Sequence, residues 1–145
     1  MTMLLFSQAK GRSVVGLTTA ETLATVTGLA LAAHPARIAA LRVKAKGHGT
    51  VITWQHVQAF GPDAVTVRSA EDVQAEADVP VRADKHHDPL GRRVLTETGH
   101  DLGPVEDIEF DEASGHIRRL ITADQDIDGD RLLGAGSHAV VVAAP

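Results

Sequence analysis

A block of glycines and aliphatic residues between Gly91 and Ile121 recurs near the N-terminus, and no other feature of this chain constrains its fold as much. Gly11, Arg12 and Val14 match Gly91, Arg92 and Val94 at an offset of 80. Leu23, Val26, Leu29, Leu31, Ile38 and Leu41 match Leu102, Val105, Ile108, Phe110, Ile117 and Leu120 at 79. Gly61, Ala64, Val65 and Val67 match Gly136, Ala139, Val140 and Val142 at 75. Self-similarity at a fixed spacing marks a repeated unit and takes precedence over local readings. The chain is expected to divide into a divergent first repeat over residues 1–73, a linker over 74–87 and a second repeat over 88–145. Each copy alone has a thin core, so the two are expected to share an interface.

Within the first repeat, Ser13 to Leu17, Leu23 to Ala32, Arg37 to Val43, Thr50 to Thr53 and the Val65–Val67 segment read as strands. The punctuation between them comes from Thr18 to Thr22, Pro35, the Lys44 to Gly49 turn and Gly61-Pro62-Asp63. Trp54 to Val57 reads as a single helical turn. Short strands separated by turn signals imply an all-β fold, here two small barrels in tandem. The linker is rich in Glu, Asp, Ala and Val. Ser69 followed by Asp72 is a helix-start signal, so a short helix is expected near Ala70 to Ala77.

Composition removes whole function classes. The chain has no cysteine, which leaves no disulfide framework, thiolate nucleophile or cysteine-based zinc site. The N-terminal Met-Thr-Met-Leu-Leu-Phe-Ser lacks a leading charge and its apolar run is short for a signal peptide. The longest weakly polar stretch, Leu23 to Ala33, falls well below a membrane span. The chain therefore reads as soluble and cytoplasmic. Residues 1–80 carry seven Lys/Arg against six Asp/Glu, and residues 81–145 carry seven against thirteen, so the net charge of −5 resides in the second copy. With no basic run and few stacking aromatics, direct nucleic-acid binding is not expected.

The pattern Gly91-Arg92-x-Val94, then Gly99, Leu102-Gly103-x-Val105, Ile108, Phe110-Asp111, Gly115-x-Ile117 and Leu120 resembles the PRC-barrel family. That family includes the cytoplasmic domain of the photosynthetic reaction-centre H subunit and the C-terminal domain of a ribosome maturation factor. The likeness covers nearly all of 88–145 and, more loosely, 3–73. It implies a small β-barrel working as a protein-interaction or assembly module, with no catalytic residues to carry across. The first copy departs from the pattern: Ala20 stands where Gly99 does, Ala24 where Gly103 does and Ala32 where Asp111 does.

The two hairpins differ in their outward residues. If each closes symmetrically, Ala30 faces Ala39 and Glu109 faces Arg118, the latter an exposed cross-strand ion pair. The first copy has lost that charge: Thr27, Gly28, Ala30, Ala32 and Ala33 replace Glu106, Asp107, Glu109, Asp111 and Glu112, and Ala39-Ala40 replace Arg118-Arg119. A strand apolar on both sides is usually buried on both sides. The face is therefore expected to be covered, either by the linker or second copy of the same chain, or by a second molecule. The interface residues on the latter reading are Ala30, Ala32, Ala39, Ala40 and Trp54. Trp54, the sole indole, is otherwise expected to plug one end of the first barrel.

Remaining motifs point to weaker chemistry. Asp124-x-Asp126-x-Asp128-Gly129-Asp130 matches the opening of a calcium loop, where alternate carboxylates converge on a hard cation. The match then stops, because Ala135 stands where a bidentate acid is needed. The alternative is a solvated acidic turn. His86-His87-Asp88 offers ligand types for zinc or nickel but reads better as an exposed linker. Ser137-His138 and Ser114-Gly115-His116 lack a nucleophile elbow, and Lys44 to Gly49 lacks phosphate-loop spacing. The chain is expected to be a non-enzymatic tandem adaptor without a cofactor, acting through a protein partner or self-association. The alternatives are a calcium-responsive binding protein and, by family analogy, a ribosome-assembly factor acting through a protein.

Overall fold

The computed structural model describes residues 2–47 and 49–145. The first half begins with strand β1 (Met3–Leu5) and the single-turn helix α1 (Phe6–Ala9). It continues through β2 (Ser13–Gly16), β3 (Thr22–Ala32), β4 (Arg37–Ala45), β5 (Val51–Thr53), β6 (Val57–Phe60) and β7 (Ala64–Val67). The second half carries β8 (Arg93–Thr96), β9 (Asp101–Pro104), β10 (Asp107–Asp111), β11 (Ile117–Ile121), β12 (Asp126–Asp128), β13 (Leu132–Ala135) and β14 (Val140–Val142). The fold is all-β, as the turn punctuation implies. Its core is aliphatic because the chain holds only three Phe and one Trp.

Strand pairing follows the same plan in both halves. β2 pairs antiparallel with β3 and parallel with β7, which pairs antiparallel with β6. In the second half β8 pairs antiparallel with β9 and parallel with β14, which pairs antiparallel with β13. The hairpins β3–β4 and β10–β11 each add one further antiparallel strand, β5 and β12. The recurring Gly-Arg supports this plan. Gly11 and Gly91 take φ of +90° and +80°, a region costly for residues with a Cβ. From there Gly11 N donates to Val26 O and Gly91 N to Val105 O, both at 2.8 Å.

Where the halves differ, the sequence supplies the reason. Gly103 at φ +92°, followed by Pro104, interrupts the ladder between β9 and β10. Ala24 in the equivalent place lets β3 run unbroken over eleven residues. Ala20 adopts φ +56°, doing with a Cβ what Gly99 does at +89°. The expected helix over Ala70 to Ala77 does not form. Two 3₁₀ turns, Ala70–Asp72 and Glu76–Asp78, stand there instead. Asp72 accepts from the N–H of Arg68 and of Ser69 at the start of the first turn, and Val73 N donates to Ala70 O at 3.1 Å at its end.

The halves interlock. β1 lies in the sheet of the other half, antiparallel to β10 with Leu4 opposite Phe110. α1 continues the crossing: Phe6 and Ala9 are fully buried, and Ser7 N donates to the Asp107 carboxylate at 3.0 Å. Between the hairpins, Ile38 N donates to Gly115 O at 2.8 Å and Ile117 N donates to Ala36 O at 3.0 Å. One core cluster therefore spans both halves, from Val14, Leu29, Leu41 and Val65 to Val94, Ile108, Phe110, Leu120 and Val140. At roughly 1.5 to 3 kcal/mol for each fully buried aliphatic side chain, this shared core offsets what either thin half lacks.

Candidate interaction surface

The register of the β3–β4 hairpin decides which small residues share a face. Leu29 pairs with Leu41 and Ala30 with Ala40, then an irregularity shifts the pairing so that Leu31 faces Ile38. The extra residue is Ala39, so the expected opposition of Ala30 and Ala39 is corrected by one position. The same shift occurs in β10–β11, where Glu109 pairs with Arg119 rather than Arg118, and Phe110 with Ile117. The bulge keeps the turn-proximal pairing as symmetry implies and displaces the pairs beyond it, and in β3–β4 a second irregularity between Val26 and Gly28 restores the symmetric register for Val26 and Val43.

The outer face of the first half is covered by its own chain. Ala30, Ala40 and Val51 are at most 2% exposed and cluster with Ala83, with Val79 and Val81 packed alongside. These three linker residues alternate in sequence, so an extended segment turns one side toward the sheet. The strap is anchored at both ends. Gln74 exchanges backbone hydrogen bonds with Val51, donating at 2.8 Å and accepting at 3.0 Å. Asp88 accepts from Arg42 Nη2 at 2.8 Å and from Leu90 N at 2.9 Å. Gly28 permits the Asp88 contact, since a Cβ there would collide with both the Asp88 and Arg42 side chains. Ala30 and Ala40 thus leave the expected interface set. Asp88, expected in an exposed linker beside His86 and His87, is an 8%-exposed latch.

Trp54 does not plug the end of a barrel. It lies at the seam between the halves, stacked on Phe60 at 6.0 Å and edge-on to Phe110 at 6.4 Å, while Phe60 meets Phe110 at 5.4 Å and Phe6 meets Phe110 at 6.3 Å. Every aromatic residue of the chain joins this cluster. Gly115, at φ +76°, makes room for the indole: a Cβ there would approach Trp54 Cε2 to 2.8 Å. The indole remains half-buried, and beside it opens a cleft of about 290 Å³ lined by Ile38, Ala39, Thr53, Gln55, Pro80 and Val81. Ala39 and Trp54 therefore meet at one partly open apolar site. Ala32 is half-exposed nearer the hairpin tip.

The acidic stretch folds differently from a calcium loop. Asp126 to Asp128 form strand β12 and Gly129 to Arg131 a 3₁₀ turn, which spreads the carboxylates along a strand. Asp126 pairs with Arg119, Asp128 Oδ1 accepts from Asp130 N at 2.9 Å, and Asp130 lies 3.4 Å from His116 Nε2. Asp124 is exposed. Among the described residues, no group of three or more His, Asp or Glu side chains is placed to hold a metal. His87 Nδ1 is 2.8 Å from Asp84 Oδ1, and this bond holds the Asp84 carboxyl below its ordinary range. His48, in the Lys44 to Gly49 turn, lies outside the described residues.

Sequence reasoning named the linker as one possible cover for this face, but not which of its residues pack there, and it missed the Asp88 latch. The signal was the alternation of Val79, Val81 and Ala83, a period-two pattern inside a segment read only for its composition. No helix among the described residues is long and apolar enough to cross a membrane. Compared with known families, residues 83–142 match the model of the PRC-barrel domain. No curated protein matches the chain.

Proposed function

Starting from a chain whose residues 83–142 carry a PRC-barrel domain, we propose that the protein is a non-enzymatic interaction or assembly module. In it the first half is a second, divergent copy of the same unit. The shared pairing plan and the two matching bulges support the second copy. The observation that carries the functional reading is the seam at Trp54. A single indole, half-exposed, is held by Phe60, Phe110 and Gly115 beside an apolar cleft at Ala39 and Val81. A pre-positioned aromatic beside an apolar cleft, from which a docked partner would exclude water, is the usual anatomy of a binding hot spot. Ala39, with no side chain beyond Cβ, leaves the cleft open.

The test places a photo-crosslinking amino acid at exposed Gln55, on the cleft rim, in cells that express the protein. A discrete protein adduct is expected, as is weakened binding of that purified protein to the Trp54→Ala and Ala39→Glu variants. An adduct with a second copy of the chain would identify self-association at the same surface. Crosslinking that is absent, or indifferent to both substitutions, would remove the cleft from the function.

A further inference from the structure

The register that brings Ala30, Ala40 and Thr53 into one cross-strand row and Gly28, Arg42 and Val51 into the next also operates in the second half. There the matching rows are Glu109, Arg119, Asp128 and Asp107, Ile121, Asp126. Because Ile108, Phe110, Leu120 and Ile127 point into the core at 0% exposure, these residues line the outer face. In the first half that face lies under the strap. In the second half no described segment covers it. Its residues are half-exposed or exposed, with Met3 and Leu5 of β1 extending the sheet beside Asp111 and Glu109.

We propose that this open face is a docking site for a basic, extended segment of a partner protein, laid across β10–β11–β12 as residues 79–88 lie across β3–β4–β5. The inference rests on the interaction-module reading but concerns a different surface from the Trp54 cleft. Two observations carry it. The register-equivalent face of the same molecule holds an extended segment, through alternate small apolar side chains and one ion pair. The open face also has the matching chemistry in reversed sign. Where Arg42 receives the strap's Asp88, the second half presents four carboxylates, Asp107, Glu109, Asp126 and Asp128, against two guanidinium groups, Arg119 and the neighbouring Arg118, with Asp107 also held by Ser7 N. Half-exposed Leu5 and Ile121 offer apolar footing between them. A segment alternating Lys or Arg with Val or Ala satisfies both features, and an acidic one is repelled.

The test titrates the full chain into a fluorescein-labelled synthetic peptide of alternating Lys and Val and follows anisotropy. A matched Glu–Val peptide serves as control, and methyl resonances of the unlabelled complex are recorded. Saturable binding of the Lys–Val peptide alone is expected, with shifts at Leu5 and Ile121. Binding should weaken about tenfold or more in Asp126→Lys with Asp128→Lys. Asp126→Asn with Asp128→Asn, which keeps the side-chain shape, should weaken it less. Asp63→Lys with Asp78→Lys, the same charge change in exposed turns of the first half and linker, should leave it nearly unchanged. Equal weakening in both lysine pairs would reduce the effect to net charge and overturn the proposal, as would absence of binding. Shifts confined to Ile38, Ala39 and Val81 would also overturn it while supporting the cleft.

Discussion

Arg37 and His116 face each other in an antiparallel bridge between the two hairpins, and they lie 79 residues apart, the offset at which the two hairpin sequences align. The hydrogen bonds on either side keep that equivalence, Ile38 to Gly115 and Ile117 to Ala36. A contact in which position i meets position j and j meets i has the geometry of a two-fold dimer interface. Here it is drawn within one chain. The twofold likeness breaks where function is proposed: Trp54 opens the 3₁₀ turn after β5, and Gly129 opens the corresponding turn after β12.

Gly115→Ala tests the seam. The new Cβ meets the indole at 2.8 Å and sits at φ +76°. A loss of about 2 to 4 kcal/mol in denaturant unfolding is expected, the sum of a left-handed backbone penalty and overpacking. Tryptophan emission should shift with it.

Ala20→Gly addresses the departure at the first turn. Ala20 holds φ +56° with a Cβ, so removing it relieves strain that exceeds the added chain entropy of glycine. A gain of up to about 1 kcal/mol is expected, and Gly99→Ala should lose a similar amount. Equal stability of all three proteins would contradict the assigned backbone.

Arg42 and Asp88 form the latch that holds the strap. Their side chains are 24% and 12% exposed, so removing either leaves a largely desolvated charge. Asp88→Ala is expected to cost about 2 to 3 kcal/mol, less than a fully buried pair. Hydrogen exchange should rise at Gln74 and Val51. Arg42→Met with Asp88→Leu should recover much of the loss.

Acid stability depends on Glu109. Its hydrogen bonds from Arg119 lower its pKa in the folded state. Stability from this carboxylate is therefore complete above its unfolded value, about 4.3, and is lost as pH falls through the lowered folded value. Glu109→Gln should flatten the stability curve over that acid limb and leave neutral pH little changed.

Much of the fold was legible because it depends on local chemistry. Gly91, Gly99 and Gly115 mark positive-φ turns, and the alternation around Ile108 and Phe110 marks a strand with one buried face. What stayed illegible depends on contacts distant in sequence. Nothing in Met3 to Leu5 signals pairing with β10, and a bulge displaced the Glu109 partner by one residue without any glycine to announce it. The apolar outer face around Ala30 was readable as covered. The linker was one of the expected covers, but that Val79, Val81 and Ala83 in particular provide it was not legible, because a five-residue apolar alternation in an acidic linker is weak evidence by itself.

The most direct measurement is the solution mass and unfolding stability of wild type against Ala30→Glu with Ala40→Arg, which writes the second half's Glu109–Arg119 pair onto the strapped face. With the chain's own strap covering that face, the substitution should lower stability by several kcal/mol and leave the mass of the folded protein unchanged. A wild-type dimer converted to a folded monomer of undiminished stability would contradict it, and would make the face a contact between molecules.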